Sequence, residues 1–204
     1  MKLLQLSKPH LIVMVGIAGS GKSFFAEKFS DTFQAPLVSD ALVTKCFSDN
    51  ETPVDHPAKL LKQLASVQLD QLFKTERTII IDTDSDTRTD RGLLAAQARK
   101  HGYETLFIWV QTDQATAKDR ALKPTKQATN RQLTPEQYNH HISRFTPPNA
   151  SEHTVVISGK HTYATQAKVV LKKLAGPRIE SAKLQPAPER TVPAAPDRRN
   201  IVIR

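Results

Sequence analysis

Eight consecutive residues near the start of the chain have the types and spacing of a phosphate-binding loop. They match the pattern G-x-x-x-x-G-K-[ST] at every required position. The segment consists of Gly16, Ile17, Ala18, Gly19, Ser20, Gly21, Lys22 and Ser23. Its glycines let the backbone curl so that successive amide groups converge on a phosphate chain. Lys22 is expected to reach the β- and γ-phosphates of ATP, and the Ser23 hydroxyl is expected to bind Mg²⁺.

Asp82 is a second candidate magnesium ligand. It ends the apolar run 78–82, and the chain continues with Thr83 and Asp84. Motor-type ATPases usually have an Asp-Glu pair at this position, and the glutamate polarises the attacking water. Asp82 can hold Mg²⁺ through a water molecule, but no glutamate follows it. The sequence therefore disfavours ATP hydrolysis as the main activity.

Asp40 directly follows the short apolar run 37–38 and a serine. In a doubly wound sheet, ligands gather beyond the carboxyl ends of the strands, so Asp40 is expected beside the phosphate-binding loop. A carboxylate in that position can accept the proton of a hydroxyl that attacks the γ-phosphate. Alternatively, Asp40 caps the helix that starts at Ala41. The residues alone leave both interpretations open.

The segment 120–144 is basic and polar, and its first half has the composition of a mobile lid. Arg120 lies near the end of a predicted helix, and Lys123, Lys126 and Arg131 follow in a polar stretch that contains a proline. Guanidinium groups neutralise the negative charge that develops during phosphoryl transfer. The segment is therefore a candidate lid over a nucleotide, and the alternative is a solvated basic loop.

Short apolar runs alternate with segments of helical periodicity between residues 10 and 175. Strands are predicted at 11–15, 37–38, 78–82, 105–110 and 154–157. Helices are predicted at 22–33, 57–74, 88–101 and 163–174, after the cap Asp113 to about residue 122, and after the cap Thr134. Strands separated by helices form a parallel sheet that is covered on both faces. We therefore expect an α/β fold, the P-loop NTPase three-layer sandwich, with about five parallel strands and with Trp109 in its core.

The composition limits the classes of partner. The net charge of +9, from 29 basic and 20 acidic residues, favours polyanions such as nucleotides or nucleic acid. Cys46 is the only cysteine, which excludes a disulfide framework and a cysteine-based zinc cluster. No apolar run approaches the roughly 20 residues that a membrane span needs. We expect an unexported, cytoplasmic protein with no membrane partner.

The character of the chain changes after residue 176. Five of the 13 prolines lie in the last 29 residues, which carry little apolar content. We expect a P-loop kinase-like ATP-binding domain at 1–176 and a disordered, basic, proline-rich tail at 177–204. The apolar end of the tail, Ile201 to Ile203, could add to a sheet edge of a partner or of the domain itself, and a frayed terminus is the alternative.

These features together resemble the small P-loop kinases that include polynucleotide 5′-kinase and the zeta-toxin-like phosphotransferases, often described as AAA-type ATP-binding proteins. The resemblance covers about residues 10–175, and its most specific parts are the loop 16–23 and the Ser39-Asp40 pair. Further matching segments are 81–82, 91, 95–103, 108–110, 120, 133–138 and 144–148. The resemblance implies a nucleoside-kinase-like fold with a lid.

The resemblance also implies roles for single residues. Asp40 corresponds to the general base, and Arg120 and Arg131 correspond to lid arginines on the phosphates. Arg91 corresponds to a substrate contact. The chain departs from the family where Lys123 replaces the usual second arginine after Arg120.

The leading hypothesis is an ATP-dependent kinase that transfers the γ-phosphoryl group to a hydroxyl of a small molecule, a nucleotide or a nucleic-acid end. The positive charge permits an RNA or DNA end as acceptor, although the chain shows no aromatic-basic platform for single strands. The alternative is an ATP-binding regulatory or adaptor protein that hydrolyses ATP slowly and engages a partner through residues 177–204.

Overall fold

The computed structural model describes residues 4, 6–43, 57–83, 85–123 and 132–175. Five parallel strands form one sheet in the order β2-β3-β1-β4-β5. The strands are β1 (His10–Val15), β2 (Leu37–Ser39), β3 (Ile79–Asp82), β4 (Glu104–Gln111) and β5 (Thr154–Ser158). The predicted α/β fold with about five parallel strands is therefore confirmed.

Six further elements of the described ranges are α-helices that connect or follow the strands. They are α1 (Lys22–Phe33), α2 (Pro57–Phe73), α3 (Arg88–Lys100), α4 (Gln114–Leu122), α5 (Pro135–Arg144) and α6 (Tyr163–Leu174). The predicted caps are confirmed, since Asp113 accepts from the N–H of Thr116 and Thr134 forms a capping box with Gln137. Residues 40–43 are also helical.

The core has two layers because the sheet is covered on both faces. In β1, Ile12 and Met14 pack with Phe25 and Phe29 of α1 and with α6. Leu11, Val13 and Val15 point to the other face, where Leu69 and Phe73 of α2 and Ala98 of α3 pack against the sheet. All six residues of β1 are buried. This explains its uninterrupted apolar run, since a strand covered on both faces needs no polar alternation.

Several predictions fall on residues that lie outside the described ranges. They concern the lid segment 124–131 with Arg131, Cys46, Asp84 and the tail 177–204. The division of the chain after residue 176 therefore stays a prediction. Within the described ranges, no helix combines the length and the apolar character needed to cross a membrane.

Candidate active site

The carboxyl ends of three neighbouring strands bring the predicted site residues to one edge of the sheet. The central strand β1 ends at Val15 and leads directly into the phosphate-binding loop. On one side of β1 lies β3, which ends at Asp82. The next strand, β2, ends at Ser39, which pairs in register with Asp82, so Asp40 follows at the same edge. The sheet therefore places the loop, Asp82 and Asp40 side by side.

The glycines of the loop have the backbone conformations that the motif requires. Gly21 has φ of 107° and is the N-cap of α1, so the positive end of the helix dipole faces the loop. Gly19 has φ of 78°, and a Cβ at this position would lie 2.1 Å from the carbonyl oxygen of Ala117. The loop is therefore shaped by its own glycines and packed against α4 in a form that converges on an anion.

The Lys22 side chain lies across the mouth of the loop. Its ammonium group donates hydrogen bonds to the carbonyl oxygens of Gly16 and, at 3.1 Å, of Ile17. These hydrogen bonds hold the positive charge at the first two residues of the phosphate-binding loop. A phosphate chain at this position would meet both the amides and the ammonium group.

Ser23 and Asp82 form a polar pair beside Lys22. The Ser23 side chain is close enough to the Asp82 carboxylate to favour its ionised form. Burial raises the pKa of Asp82, while the charge of Lys22 and the Ser23 side chain lower it in part. A divalent cation would favour the ionised form of this carboxylate.

The donor set at this point fits Mg²⁺ that is shared with a phosphate chain. In the described ranges, no group of three or more His, Cys, Asp or Glu side chains could hold a metal ion by itself. Mg²⁺ in nucleotide enzymes is typically bound by one or two side-chain oxygens together with the phosphates and waters. The hydroxyl of Ser23 and the carboxylate of Asp82 match this requirement.

Asp40 is half-buried and is the first residue of the helical segment 40–43. It follows β2 at the carboxyl edge of the sheet, two strands from β1, which leads into the phosphate-binding loop. A helix start is also the place where an aspartate caps the backbone. The structure therefore gives the location of Asp40, and its role as a base remains a proposal.

Arg120 lies on α4 near the loop that follows β5. Its guanidinium group donates to the carbonyl oxygen of Gly159 at 3.3 Å and is otherwise exposed. Gly159 packs tightly on the phosphate-binding loop, since a Cβ there would lie 2.1 Å from the carbonyl oxygen of Ser20. The Thr112 hydroxyl donates to the same oxygen at 2.9 Å. Arg120 is therefore held close to the loop, and Arg131 lies outside the described residues.

The structure corrects the expectation that Arg91 contacts a substrate. Its side chain is fully buried, and its Nε and Nη2 donate to the two oxygens of Glu152 at 2.6 and 3.2 Å. Its Nη1 donates to the carbonyl oxygens of Ser85, Asp86 and Thr146. Because these interactions occupy the guanidinium group inside the protein, Arg91 has a structural role.

Glu152 completes this buried pair. Burial by itself raises the pKa of Glu152, but hydrogen bonds from Arg91 and from the N–H of Asn149, with the charges of Arg91 and Arg88, outweigh it, so the net pKa is lowered. The sequence gives no local signal for this pair because its members are 61 residues apart. The tight contacts of Thr112 and Gly159 with Ser20 were missed for the same reason.

Two of the cavities formed by the described residues flank the sheet. One of about 400 Å³ touches Ile17 of the phosphate-binding loop and is lined by Trp109, Phe145 and residues of the segments 110–113 and 158–160. The other, of about 630 Å³, runs along α3 and contains Lys8 and Glu104 at the amino ends of β1 and β4. Only the first adjoins the predicted chemistry, and its wall contains Trp109, which is half-buried and not, as predicted, in the core.

Solved structures with the same fold are P-loop kinases and related proteins at low sequence identity. A sugar kinase from Janibacter sp. is 16% identical and has a TM-score of 0.59, over 83% of this chain and 96% of that chain. A gluconokinase from Sinorhizobium meliloti is 18% identical with a TM-score of 0.56, over 82% and 92%. Kti12 from Chaetomium thermophilum, solved in complex with ADP-AlF3, is 16% identical with a TM-score of 0.62, over 81% and 100%. These likenesses show the fold.

A comparison with curated proteins found no match. The sequence model of a family described as "AAA domain" matches residues 11–148, which is 138 of the 204 residues. The matched range begins in β1, contains the phosphate-binding loop, Asp40, Asp82 and Arg120, and ends just after α5. The chain therefore belongs to the AAA domain family, with the fold of the P-loop kinases.

Proposed function

We propose that the protein is an ATP-dependent phosphotransferase that moves the γ-phosphoryl group of ATP to a hydroxyl of an acceptor. The observation that carries this proposal is the convergence of the loop 16–23, the Ser23–Asp82 pair and Asp40 at one edge of the sheet. The loop supplies the phosphate site, and Asp40 supplies a carboxylate on the side from which an alcohol can approach.

In the proposed reaction, the acceptor oxygen forms a bond to the γ-phosphorus while the bond between that phosphorus and the β,γ-bridging oxygen breaks. Asp40 accepts the hydroxyl proton, and ADP leaves with the bridging oxygen. Lys22 and Arg120 neutralise the charge that develops on the phosphoryl oxygens, and Arg131 is proposed to join them from the lid.

The side chains of Ser23 and Asp82 would hold Mg²⁺ at this edge, Asp82 through a water molecule. When bound, the ion supplies charge neutralisation on the phosphates. The protein itself contributes positioning. The loop amides, Lys22 and the N-terminus of α1 fix the phosphate chain, so that little reorganisation accompanies the transfer.

Transfer of labelled γ-phosphate to nucleosides, nucleotides, sugars and RNA or DNA ends tests the proposal. Lys22→Ala should abolish transfer by removing the ammonium group from the loop. Asp40→Asn should keep nucleotide affinity but lower transfer by about 100-fold or more, because a general base contributes about this much. Asp70→Asn is the matched control, since Asp70 is an exposed side chain of α2. Unchanged transfer in Asp40→Asn would remove its assignment as the base.

The alternative function, an adaptor with weak ATP hydrolysis, depends on residues 177–204, which lie outside the described ranges. Deletion of these residues separates the two functions. The phosphotransferase should keep its transfer rate in the truncated chain, whereas an adaptor would lose partner binding. For an RNA or DNA acceptor, the binding constant should fall steeply with salt concentration.

A further inference from the structure

The larger of the two cavities lies along α3, where Arg88 and Arg99 are the first and last residues of the helix that line it. These arginines are eleven residues apart, which is three turns of an α-helix, so their side chains leave the same side of α3. The rise of the helix puts their Cα atoms about 16 Å apart. At about 630 Å³, the cavity has the size of a site for a small ligand.

The helical wall between the two arginines consists of small residues. Gly92 and Ala95 line the cavity on the same side of α3. A glycine inside a helix is destabilising relative to alanine, yet a Cβ at Gly92 would meet no atom within 4 Å. Close packing against the described residues therefore does not require this glycine. Its missing side chain leaves space for a ligand between the two arginines.

The lining of this cavity carries an excess of positive charge. Its charged members are four basic and two acidic side chains, namely Lys8, Arg88, Arg91, Arg99, Glu104 and Glu152. Glu104 pairs with Lys8 at 3.3 Å, and the two oxygens of Glu152 accept from Arg91. Each acidic side chain thus has a cationic partner of its own. The positive charge that is left over belongs to the two arginines at the ends of the helical wall.

Arg88 and Arg99 are exposed, and neither makes a side-chain hydrogen bond or an ion pair in the described part of the chain. The charge of Arg88 is close enough to Glu152 to help lower the pKa of that carboxyl. The oxygens of Glu152 are nevertheless occupied by Arg91 and by the N–H of Asn149. A guanidinium group has five N–H donors in a plane, which suits bidentate binding of a phosphate. Both arginines can therefore bind an anionic ligand.

The cavity is separate from the phosphate-binding loop. The helix α3 starts after β3, at the carboxyl edge of the sheet, and ends before β4 begins, so Arg99 lies toward the amino ends of the strands. Lys8 and Glu104 line the cavity at this end. Among the described lining residues, none belongs to the loop 16–23, and neither Asp40 nor Asp82 is present. A ligand in this cavity would therefore occupy a second site.

We propose that this cavity binds a small organic anion with phosphoryl groups at opposite ends, such as a sugar bisphosphate, with one group on Arg88 and the other on Arg99. Because the two side chains approach the cavity from separate ends of the helical wall, each can bind a phosphoryl group of its own. The hydroxyl of Thr105 and the ring of His153 also line the cavity and offer hydrogen bonds to the body of such a ligand. The proposed phosphotransferase function is not needed for this inference.

The first test is calorimetric titration with fructose 1,6-bisphosphate, fructose 6-phosphate and fructose at physiological ionic strength. The bisphosphate should bind saturably, the monophosphate about 10- to 100-fold more weakly, and fructose not measurably, because hydrogen bonds to a charged group contribute about this factor. Lys22→Ala should leave the affinity for the bisphosphate unchanged, since Lys22 lies in the phosphate-binding loop. Loss of binding in Lys22→Ala would assign the bisphosphate to that loop and overturn the proposal. Equal affinity for the bisphosphate and the monophosphate would overturn the binding of two phosphoryl groups.

The second test repeats the titration with matched variants of α3. Arg88→Gln and Arg99→Gln should each lower the affinity for the bisphosphate by about tenfold or more. Gly92→Leu keeps every charge but fills the space between the arginines, and it should also lower the affinity by about tenfold or more. Lys100→Gln is the control, because Lys100 is an exposed cation of the same helix that does not line the cavity. It removes the same charge and should change the affinity by less than about twofold, since exposed charges interact weakly in salt.

Three results would overturn the site. The first is the absence of saturable binding of the bisphosphate to the native protein. The second is an equal loss of affinity in Arg99→Gln and Lys100→Gln, because it would show a general attraction between charges. The third is binding of a single-stranded DNA oligonucleotide that depends on Arg88 and Arg99 while the bisphosphate does not bind, because it would show a nucleic-acid surface instead. None of these measurements involves phosphoryl transfer, so failure of the site would leave the proposed function unaffected.

Discussion

Arg91 and Glu152 form a buried, two-pronged ion pair that joins three separate segments of the chain. The guanidinium group is fully buried and the carboxylate side chain is 11% exposed. The pair lies between α3, the segment after β3 that contains Ser85 and Asp86, and the segment after α5 that contains Thr146. These last two segments flank the active-site edge. The pair therefore positions backbone near the site without itself contacting a substrate.

Glu152→Gln should destabilise the protein strongly. The substitution leaves the Arg91 charge buried without its counter-charge, which costs about 3 to 5 kcal/mol. For a chain of this size the melting temperature should fall by about 2 to 4 °C for each kcal/mol. Thermal unfolding followed by circular dichroism measures the change. Asp119→Asn is the matched control, because Asp119 pairs with Lys123 at the surface and should contribute at most about 1 kcal/mol. Equal losses in both variants would contradict the structural role of the buried pair.

The same pair predicts how stability depends on acid pH. The pKa of Glu152 is lowered in the folded protein from its ordinary value of 4.5, so the folded state binds this proton less tightly than the unfolded state. The stabilisation is complete above the unfolded pKa and is lost as the pH falls through the folded pKa. The free energy of unfolding should therefore fall more steeply below pH 4.5 in the native protein than in Glu152→Gln. Parallel curves for the two proteins would show that folding does not lower the pKa of Glu152.

Local patterns in the sequence predict the fold and the phosphate site well. The run at β1 and the motif 16–23 are contiguous, and the caps Asp113 and Thr134 act on their own helices. Each of these features depends on residues a few positions apart. The predicted bounds of α1 and α6 agree with the structure for this reason.

Long-range contacts explain the failures of sequence reasoning. The resemblance predicts a substrate contact for Arg91 because it assigns a role by position in the chain and contains no information about the surroundings of the side chain. The partner of Arg91, Glu152, is 61 residues away in the sequence. Trp109 is predicted in the core because strand periodicity cannot show how completely the neighbouring elements cover a strand, and among the described residues it is only half-buried. Both errors concern tertiary environment, which a local pattern does not contain.

Asp82→Asn should stabilise the nucleotide-free protein and reduce the effect of Mg²⁺ on the affinity for ADP. Burial raises the pKa of Asp82 above its ordinary value of 3.8, so the folded state binds this proton more tightly than the unfolded state does. Stability is then lost as the pH rises from 3.8 through the folded pKa, and at neutral pH the ionised carboxylate is a cost. Removing the charge should therefore raise the melting temperature at neutral pH. The gain should vanish below pH 3.8.

Calorimetric titration of ADP with and without Mg²⁺ measures the second effect of Asp82→Asn. A ligand that acts on the ion through water is typically worth about 10- to 100-fold in affinity. The Mg²⁺-dependent part of the ADP affinity should fall by this factor, while the affinity without Mg²⁺ should stay the same. Asp70→Asn on α2 serves as the control. A variant that gains no stability and keeps its full Mg²⁺ response would refute the assignment of Asp82.

Gly159→Ala should disturb the phosphate-binding loop from a distance of more than 130 residues along the chain. A Cβ at this position would lie 2.1 Å from the Ser20 carbonyl oxygen and 2.2 Å from Thr112 Oγ1, and the Ser20 oxygen cannot move without moving the loop. Overpacking of this kind costs about 1 to 3 kcal/mol. We expect a lower melting temperature and a weaker affinity for ADP together.

Gly92→Ala is the control within α3, because its Cβ would meet no atom within 4 Å, and it should stabilise the helix by up to about 1 kcal/mol. Nucleotide affinity that is unchanged in Gly159→Ala would mean that the loop after β5 does not support the phosphate site.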